Sequence, residues 1–201
     1  MSALSKSEWR ARIVAARRAR SDGERRGEDD ALAAAARSLA PARATVCAYV
    51  PVGSEPGALS LLDALREAGN RVLLPLTRPD STLDWAQYTG PGALAPAGYG
   101  LLEPTGPALG PEEVRRAHTV VVPALAVDER GVRLGRGAGF YDRTLHLAAA
   151  DAVLVAVVRD DELVPELPED PHDIRMGWAL TPGRGLVPLN GSRDTGNRAP
   201  R

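Results

Sequence analysis

Residues 45–76, TVCAYVPVGSEPGALSLLDALREAGNRVLLPL, decide the fold through a change of periodicity. Thr45–Val50 is a short apolar run, rich in strand-forming side chains and without polar alternation, as expected of a strand buried on both faces. Pro56–Ala68 shifts to helical spacing; Pro56 suits a first helical turn and Gly69 suits the stop. Arg71–Leu76 returns to a strand pattern. Strand, helix and strand in alternation imply a mainly parallel sheet covered on both faces.

The same alternation continues outward. Thr82–Tyr88 is expected as a short strand, Gly90–Pro111 as a Gly- and Pro-rich loop, and Glu112–Ala117 as a short helix. Thr119–Val122 is a strand, Phe140–Ala150 a helix, Ala152–Val158 an apolar strand and Met176–Leu180 a last strand. Upstream, Ser5 or Ser7 caps a helix with Glu8 in its first turn, and Trp9, Ile13 and Ala16 recur at helical spacing toward the core. A second helix runs from Glu28, Asp29 and Asp30 through an alanine-rich stretch to Leu39. The expected architecture is one three-layer α/β/α domain over residues 1–181. A polar, Gly-rich tail is expected over residues 182–201.

Composition narrows the function. The chain has 201 residues, enough for one domain with a sizeable core, and a net charge of −1, which offers no bulk attraction to nucleic acid or membrane. Aromatic residues are only 4%, so the core relies on Ala, Val and Leu. No signal-peptide core or membrane-spanning run is visible, and the single Cys47 sits in an apolar strand as a packing residue; a cytoplasmic protein is expected. Residues 1–26 carry eight basic against three acidic side chains, but no aromatic platform accompanies them, which argues against nucleic acid.

The segment richest in chemistry is residues 120–145, VVVPALAVDERGVRLGRGAGFYDRTL. A β-branched strand stops at Pro123, Gly131, Gly135, Gly137 and Gly139 follow, and a helix is expected from Phe140. Closely spaced glycines let successive N–H groups converge on one anion. Arg133 and Arg136 add positive charge, and Asp142 suits a cation bridging to phosphate. This is a phosphate-binding pattern, although it lacks the GK[ST] ending of a P-loop and the GxGxxG spacing of a dinucleotide site. In parallel sheets ligands collect at the carboxyl ends of the strands, so this loop and Pro51–Glu55 are expected to face one cavity.

The string PALAVDxxGxRLGxGxGFYDRxL resembles the signature of the 5-formyltetrahydrofolate cyclo-ligase (5,10-methenyltetrahydrofolate synthetase) family. The resemblance implies a NagB/ribose-5-phosphate isomerase/CoA transferase-like fold and ATP- and Mg²⁺-dependent closure of 5-formyltetrahydrofolate to 5,10-methenyltetrahydrofolate, with release of ADP and phosphate. Lys6, Arg10 and Arg17 match the family's K-x3-R-x6-R pattern, which implies ATP contacts for Lys6 and Arg10 and adds a folate contact for Arg10. Carried over residue by residue, ATP binding falls on Arg133, Leu134, Gly135, Arg136, Gly137, Ala138, Gly139, Phe140 and Tyr141. Substrate binding falls on Val50, Glu55, Arg136 and Phe140, and the catalytic and metal roles on Arg136 and Asp142. Gly98–Pro104 is similar to the family's G-x-x-E-P loop, and Asp84-Trp85 to a structural family strand.

Two positions depart from the family pattern. Ala138 stands where Lys or Gly is common. His172-Asp173 resembles the start of an HD-x3-D element, but Gly177 occupies the place of its second Asp, which in the family is a Mg²⁺ ligand beside the counterpart of Asp142. Weaker metal binding is therefore expected, with Asp173 or Asp128 as candidate substitutes. Two other readings compete: a relative that binds folate or nucleotide without turnover, and a sugar-phosphate or nucleotide-binding module that shares only the anion site.

Overall fold

The computed structural model describes residues 4–190. It opens with two helices, α1 (Lys6–Ala19) and α2 (Asp22–Ala36). Both begin with reciprocal caps: the hydroxyls of Ser5 and Ser21 accept from the N–H of Glu8 and Glu24, whose carboxylates accept from the serine N–H groups. The chain then forms β1 (Thr45–Cys47), α3 (Leu59–Glu67), β2 (Arg71–Thr77), β3 (Leu83–Gln87), β4 (Leu94–Pro96) and β5 (Leu102–Pro104). A 3₁₀ segment, Pro111–Arg116, leads to β6 (Thr119–Pro123), β7 (Ala126–Asp128), β8 (Arg133–Leu134), α4 (Phe140–Leu145), β9 (Val153–Val157), β10 (Leu163–Val164), β11 (Trp178–Thr181) and β12 (Gly185–Pro188).

Seven strands build the central sheet in the order β12-β11-β9-β6-β1-β2-β3. The five inner strands are parallel, while β12 and β3 run antiparallel at the two edges. Alternate residues of each inner strand go to opposite faces. Val46, Val72, Leu74, Val121, Val155 and Val157 pack with Leu32, Leu61, Leu62 and Leu65 of α2 and α3. Cys47, Leu73, Val120, Val122 and Ala156 pack with Val114 and Leu145 on the other side. The sheet is thus covered on both faces, as the unbroken apolar runs require. Among the described residues no helix is long and apolar enough to cross a membrane.

Several expected boundaries move. The helix expected at Pro56 begins at Leu59, because Gly57 adopts φ +94° in a turn and gives its N–H to Asp29. The helix expected to reach Ala150 stops at Leu145, passing into tight turns at Leu147 and Ala148. β4 and β5 pair inside the expected Gly90–Pro111 loop, and β7 and β8 fill much of the segment before the glycine loop. The expected tail begins too early: β12 pairs with β11 over residues 185–188, and residues 191–201 lie outside those described.

Helix α1 covers a second, three-stranded sheet (β10-β7-β8), where Ile13 packs with Leu125, Val132, Leu134 and Val164. Ala16, expected to face the core, is exposed, and Arg17 is buried in its place. Arg17 donates to both oxygens of Glu162, at 2.7 and 2.8 Å, and to the Ala124 carbonyl at 2.7 Å. Glu162 also accepts from the Arg159 N–H, and Arg159 donates to Glu28 and to the Ser54 carbonyl. A buried guanidinium is tolerable only with such partners.

Candidate functional site

A cavity of about 520 Å³ opens at the carboxyl ends of β1, β2 and β6, where Val50, Thr77 and Pro123 reach its wall. Two segments expected to converge do so. Gly135 through Asp142 form one continuous side, and Val52 and Glu55 of the loop after β1 form another. Arg136 joins them: its Nε lies 3.0 Å from Glu55, and its Nη2 donates to the Val52 carbonyl at 3.3 Å. The other Glu55 oxygen accepts from the Val52 N–H.

The glycine loop has a defined shape. Gly137 has φ +101°, and Arg10 of α1 lies against it, so that a Cβ there would sit 3.6 Å from the guanidinium carbon. Arg10 Nε donates to the Gly135 carbonyl at 2.9 Å. Arg143 donates to the Ala138 carbonyl and, from the same guanidinium, to the Ser81 carbonyl across the cavity rim. Ala138 itself lines the cavity, so a longer side chain is dispensable for building the wall.

Arg133 and Asp142 form the inner polar corner. The Arg133 side chain is nearly buried and donates to Asp142 Oδ1 and to the Pro123 carbonyl. Its guanidinium also lies 5.9 Å from the Tyr141 ring centroid. Asp142 is one-third exposed and its second oxygen stays available. Burial pushes the Tyr141 phenol well above its ordinary range, so it stays a neutral donor.

Two expected contacts fall elsewhere. The Leu134 side chain packs with Ile13 and Leu125, away from the cavity, and its carbonyl accepts from Leu125 N–H. Lys6 pairs with Asp170 and Asp173, at 2.6 and 2.7 Å, instead of meeting the glycine loop. Asp170, His172 and Asp173 bring three donor atoms within 4.8 Å of one another, but the Lys6 ammonium already occupies both carboxylates. Asp173 is ion-paired with Lys6 and caps its loop by accepting from the Asp170 N–H, whereas His172 has no hydrogen bond or ion pair among the described residues.

The second departure from the family pattern also changes meaning. Gly177 donates its N–H to the Leu154 carbonyl at the beginning of β9, whereas the cavity lies beyond the ends of the parallel strands. Gly177 and Asp142 are therefore at opposite ends of the sheet. Asp128 is fully buried and bonds Arg130 and the N–H groups of Val132 and Leu167, which leaves it no ligand role. The expected loss of a metal ligand at Gly177 has no geometric basis here.

Thr77, Ser81, Leu101 and Glu103 line the cavity without having been singled out as ligands. Glu103 carried the only sequence signal, in its Glu-Pro pair. The partner that fixes it, Thr77, is 26 positions away.

Comparisons with known proteins place the chain in a family. The model of the 5-formyltetrahydrofolate cyclo-ligase family matches residues 2–182. A 5-formyltetrahydrofolate cyclo-ligase of Mycolicibacterium smegmatis is 53% identical over 194 residues, covering 94% of this chain and 100% of the relative. The Escherichia coli K12 protein of the same name is 32% identical over 143 residues, covering 70% of this chain and 79% of the relative. A 5,10-methenyltetrahydrofolate synthetase of Aquifex aeolicus superposes with a TM-score of 0.78 at 26% identity, covering 96% of this chain and 97% of that one. The chain belongs to the 5-formyltetrahydrofolate cyclo-ligase family.

Proposed function

We propose that this chain closes 5-formyltetrahydrofolate to 5,10-methenyltetrahydrofolate, consuming ATP and releasing ADP and phosphate. The observation that carries this reading is the Arg136–Glu55 pair, which joins the phosphate-type loop and the loop after β1 across one cavity. A nucleotide on the first loop and a folate against the second then share a single enclosed space. The same reading assigns the protein to the cytoplasm.

The chemistry asks for charge and position more than for covalent help. A formyl oxygen leaves poorly. Transfer of the γ-phosphoryl group to that oxygen breaks its bond to ADP and makes a good leaving group. N10 then bonds to the formyl carbon and loses its proton, and phosphate departs with the former formyl oxygen. Arg136 and the backbone donors of residues 135–139 stabilise charge on the moving phosphoryl group. Arg10, which braces that loop, completes the nucleotide side, while Lys6, one turn earlier on α1, is held by Asp170 and Asp173. Val50, Glu55 and Phe140 hold the folate in line.

Mg²⁺ suits the donor set at Asp142. One carboxylate oxygen is committed to Arg133 and the other faces the cavity, and Mg²⁺ needs only one or two carboxylates beside phosphate and water. When bound, the ion would neutralise phosphate charge. The hydrogen bond from Arg133 orients Asp142 for that role.

Purified protein mixed with 5-formyltetrahydrofolate, ATP and Mg²⁺ should generate the near-ultraviolet absorbance of methenyltetrahydrofolate. Omitting any one of the three should abolish it. Folded protein that binds folate but forms no product would favour the binding-only reading.

A further inference from the structure

Three carboxylates line the cavity, and two are matched by cations: Glu55 by Arg136 and Asp142 by Arg133. Glu103, on β5, is the third, and among the described residues no cation pairs with it. Its Oε1 accepts two hydrogen bonds from Thr77, from the N–H at 2.8 Å and from the hydroxyl at 2.6 Å. Those bonds use the acceptor capacity of that oxygen and fix the carboxylate on the end of β2. Oε2 accepts from no described group. The surrounding wall is apolar, formed by Pro75, Leu83, Leu101 and Leu102.

A fixed, half-buried carboxylate with an idle oxygen in an apolar corner is costly unless a ligand brings donors to it. The apolar wall suits a flat heteroaromatic ring, and the idle oxygen suits N–H groups on the edge of that ring. We propose that Glu103 recognises the 2-amino-4-oxopyrimidine edge of the reduced pterin through its adjacent N–H donors. This deepens the cyclo-ligase reading and rests on it. The arginines lie on the glycine-loop side of the cavity, which leaves the Glu103 corner as the donor-accepting end. The vicinal hydroxyls of a nucleotide ribose are the other source of adjacent donors, and kinetics separate the two.

The test is Glu103→Gln, which keeps an oxygen for Thr77 but turns an amide NH₂ toward the ring donors. At saturating ATP, KM for 5-formyltetrahydrofolate should rise about tenfold or more, as expected on losing a charge-assisted hydrogen bond. KM for ATP and the thermal midpoint should hardly move. Calorimetric titration without ATP should show the same loss of folate affinity. An unchanged folate KM overturns the proposal, and so does a rise confined to KM for ATP. A fall in stability with both KM values intact would reduce Glu103 to a structural role and overturn it as well. Wild-type protein that neither binds nor converts 5-formyltetrahydrofolate removes the cyclo-ligase reading and this proposal with it; active wild type with an unaffected variant removes only the role of Glu103.

Discussion

Arg136 and Glu55 meet at 3.0 Å across the mouth of the cavity, linking two loops that are about 80 residues apart in the chain. The pair is asymmetric in burial. The Glu55 side chain is 10% exposed and is also held by the Val52 N–H, while Arg136 is 55% exposed and open to an incoming ligand.

Arg136→Ala should therefore lower kcat by about 100-fold, the scale of losing one preorganised donor to developing charge, with the fold intact. Steady-state kinetics beside a thermal melt check this. Unaltered turnover would remove Arg136 from the reaction.

The buried Arg17–Glu162–Arg159 cluster has a different weight. Its guanidinium groups hold the carbonyls of Ala124 and Ser54, each part of a segment that shapes the cavity. Glu162→Gln leaves the buried Arg17 without a carboxylate partner among the described residues, while Arg159 keeps Glu28, and should cost about 3–5 kcal/mol. Urea unfolding followed by tryptophan fluorescence measures the loss. A shift below about 1 kcal/mol would mean that water reaches these groups.

Gly177→Asp should leave the Mg²⁺ dependence of the reaction unchanged, because the position adjoins Leu154 at the far end of the strands. Its φ is ordinary and a Cβ would meet only the Leu154 carbonyl at 3.9 Å, so the variant should fold. A lower half-saturating Mg²⁺ concentration would contradict this placement.

These cases also mark what the sequence could reveal. The parallel sheet was legible because strands buried on both faces leave unbroken apolar runs, and Val120–Val122 and Val153–Val157 display them plainly. The cavity was legible because β1 and β6 are neighbours that point the same way, although β1 stops at Cys47, short of the expected Val50, which lies in the loop after it. β7 and β8 were not, since three and two residues are too few to show a period. Arg17 was missed because its partners, Glu162 and Ala124, lie more than 100 positions away, and a residue of its type belongs on the surface by default. Gly177 misled for a related reason: a motif gives order along the chain, while the strand register decides which end of the sheet a residue reaches.

The Lys6–Asp170 pair makes the acid limb of stability testable. The hydrogen bond from Lys6, reinforced by its charge, lowers the Asp170 pKa. For Lys6, burial works to lower the pKa, but the bonds to Asp170 and Asp173 leave it raised. An aspartate held low stabilises the fold above its unfolded value of about 3.9, and that contribution fades as pH falls through the lowered folded value. The raised lysine contributes fully below its unfolded value of about 10.4 and loses its contribution as pH rises through the folded one. Asp170→Asn should thus show a constant small deficit between about pH 5 and pH 9 that shrinks below about pH 4. A deficit that grows in acid would assign the pairing the wrong sign.

The proposed transfer of the γ-phosphoryl group to the formyl oxygen before ring closure can be followed by isotope transfer. With ¹⁸O in the formyl group of 5-formyltetrahydrofolate, one labelled oxygen should appear in each phosphate released, in step with methenyltetrahydrofolate formation. Product formed with unlabelled phosphate and ¹⁸O in water would contradict it, because the oxygen would then have left without ever being phosphorylated.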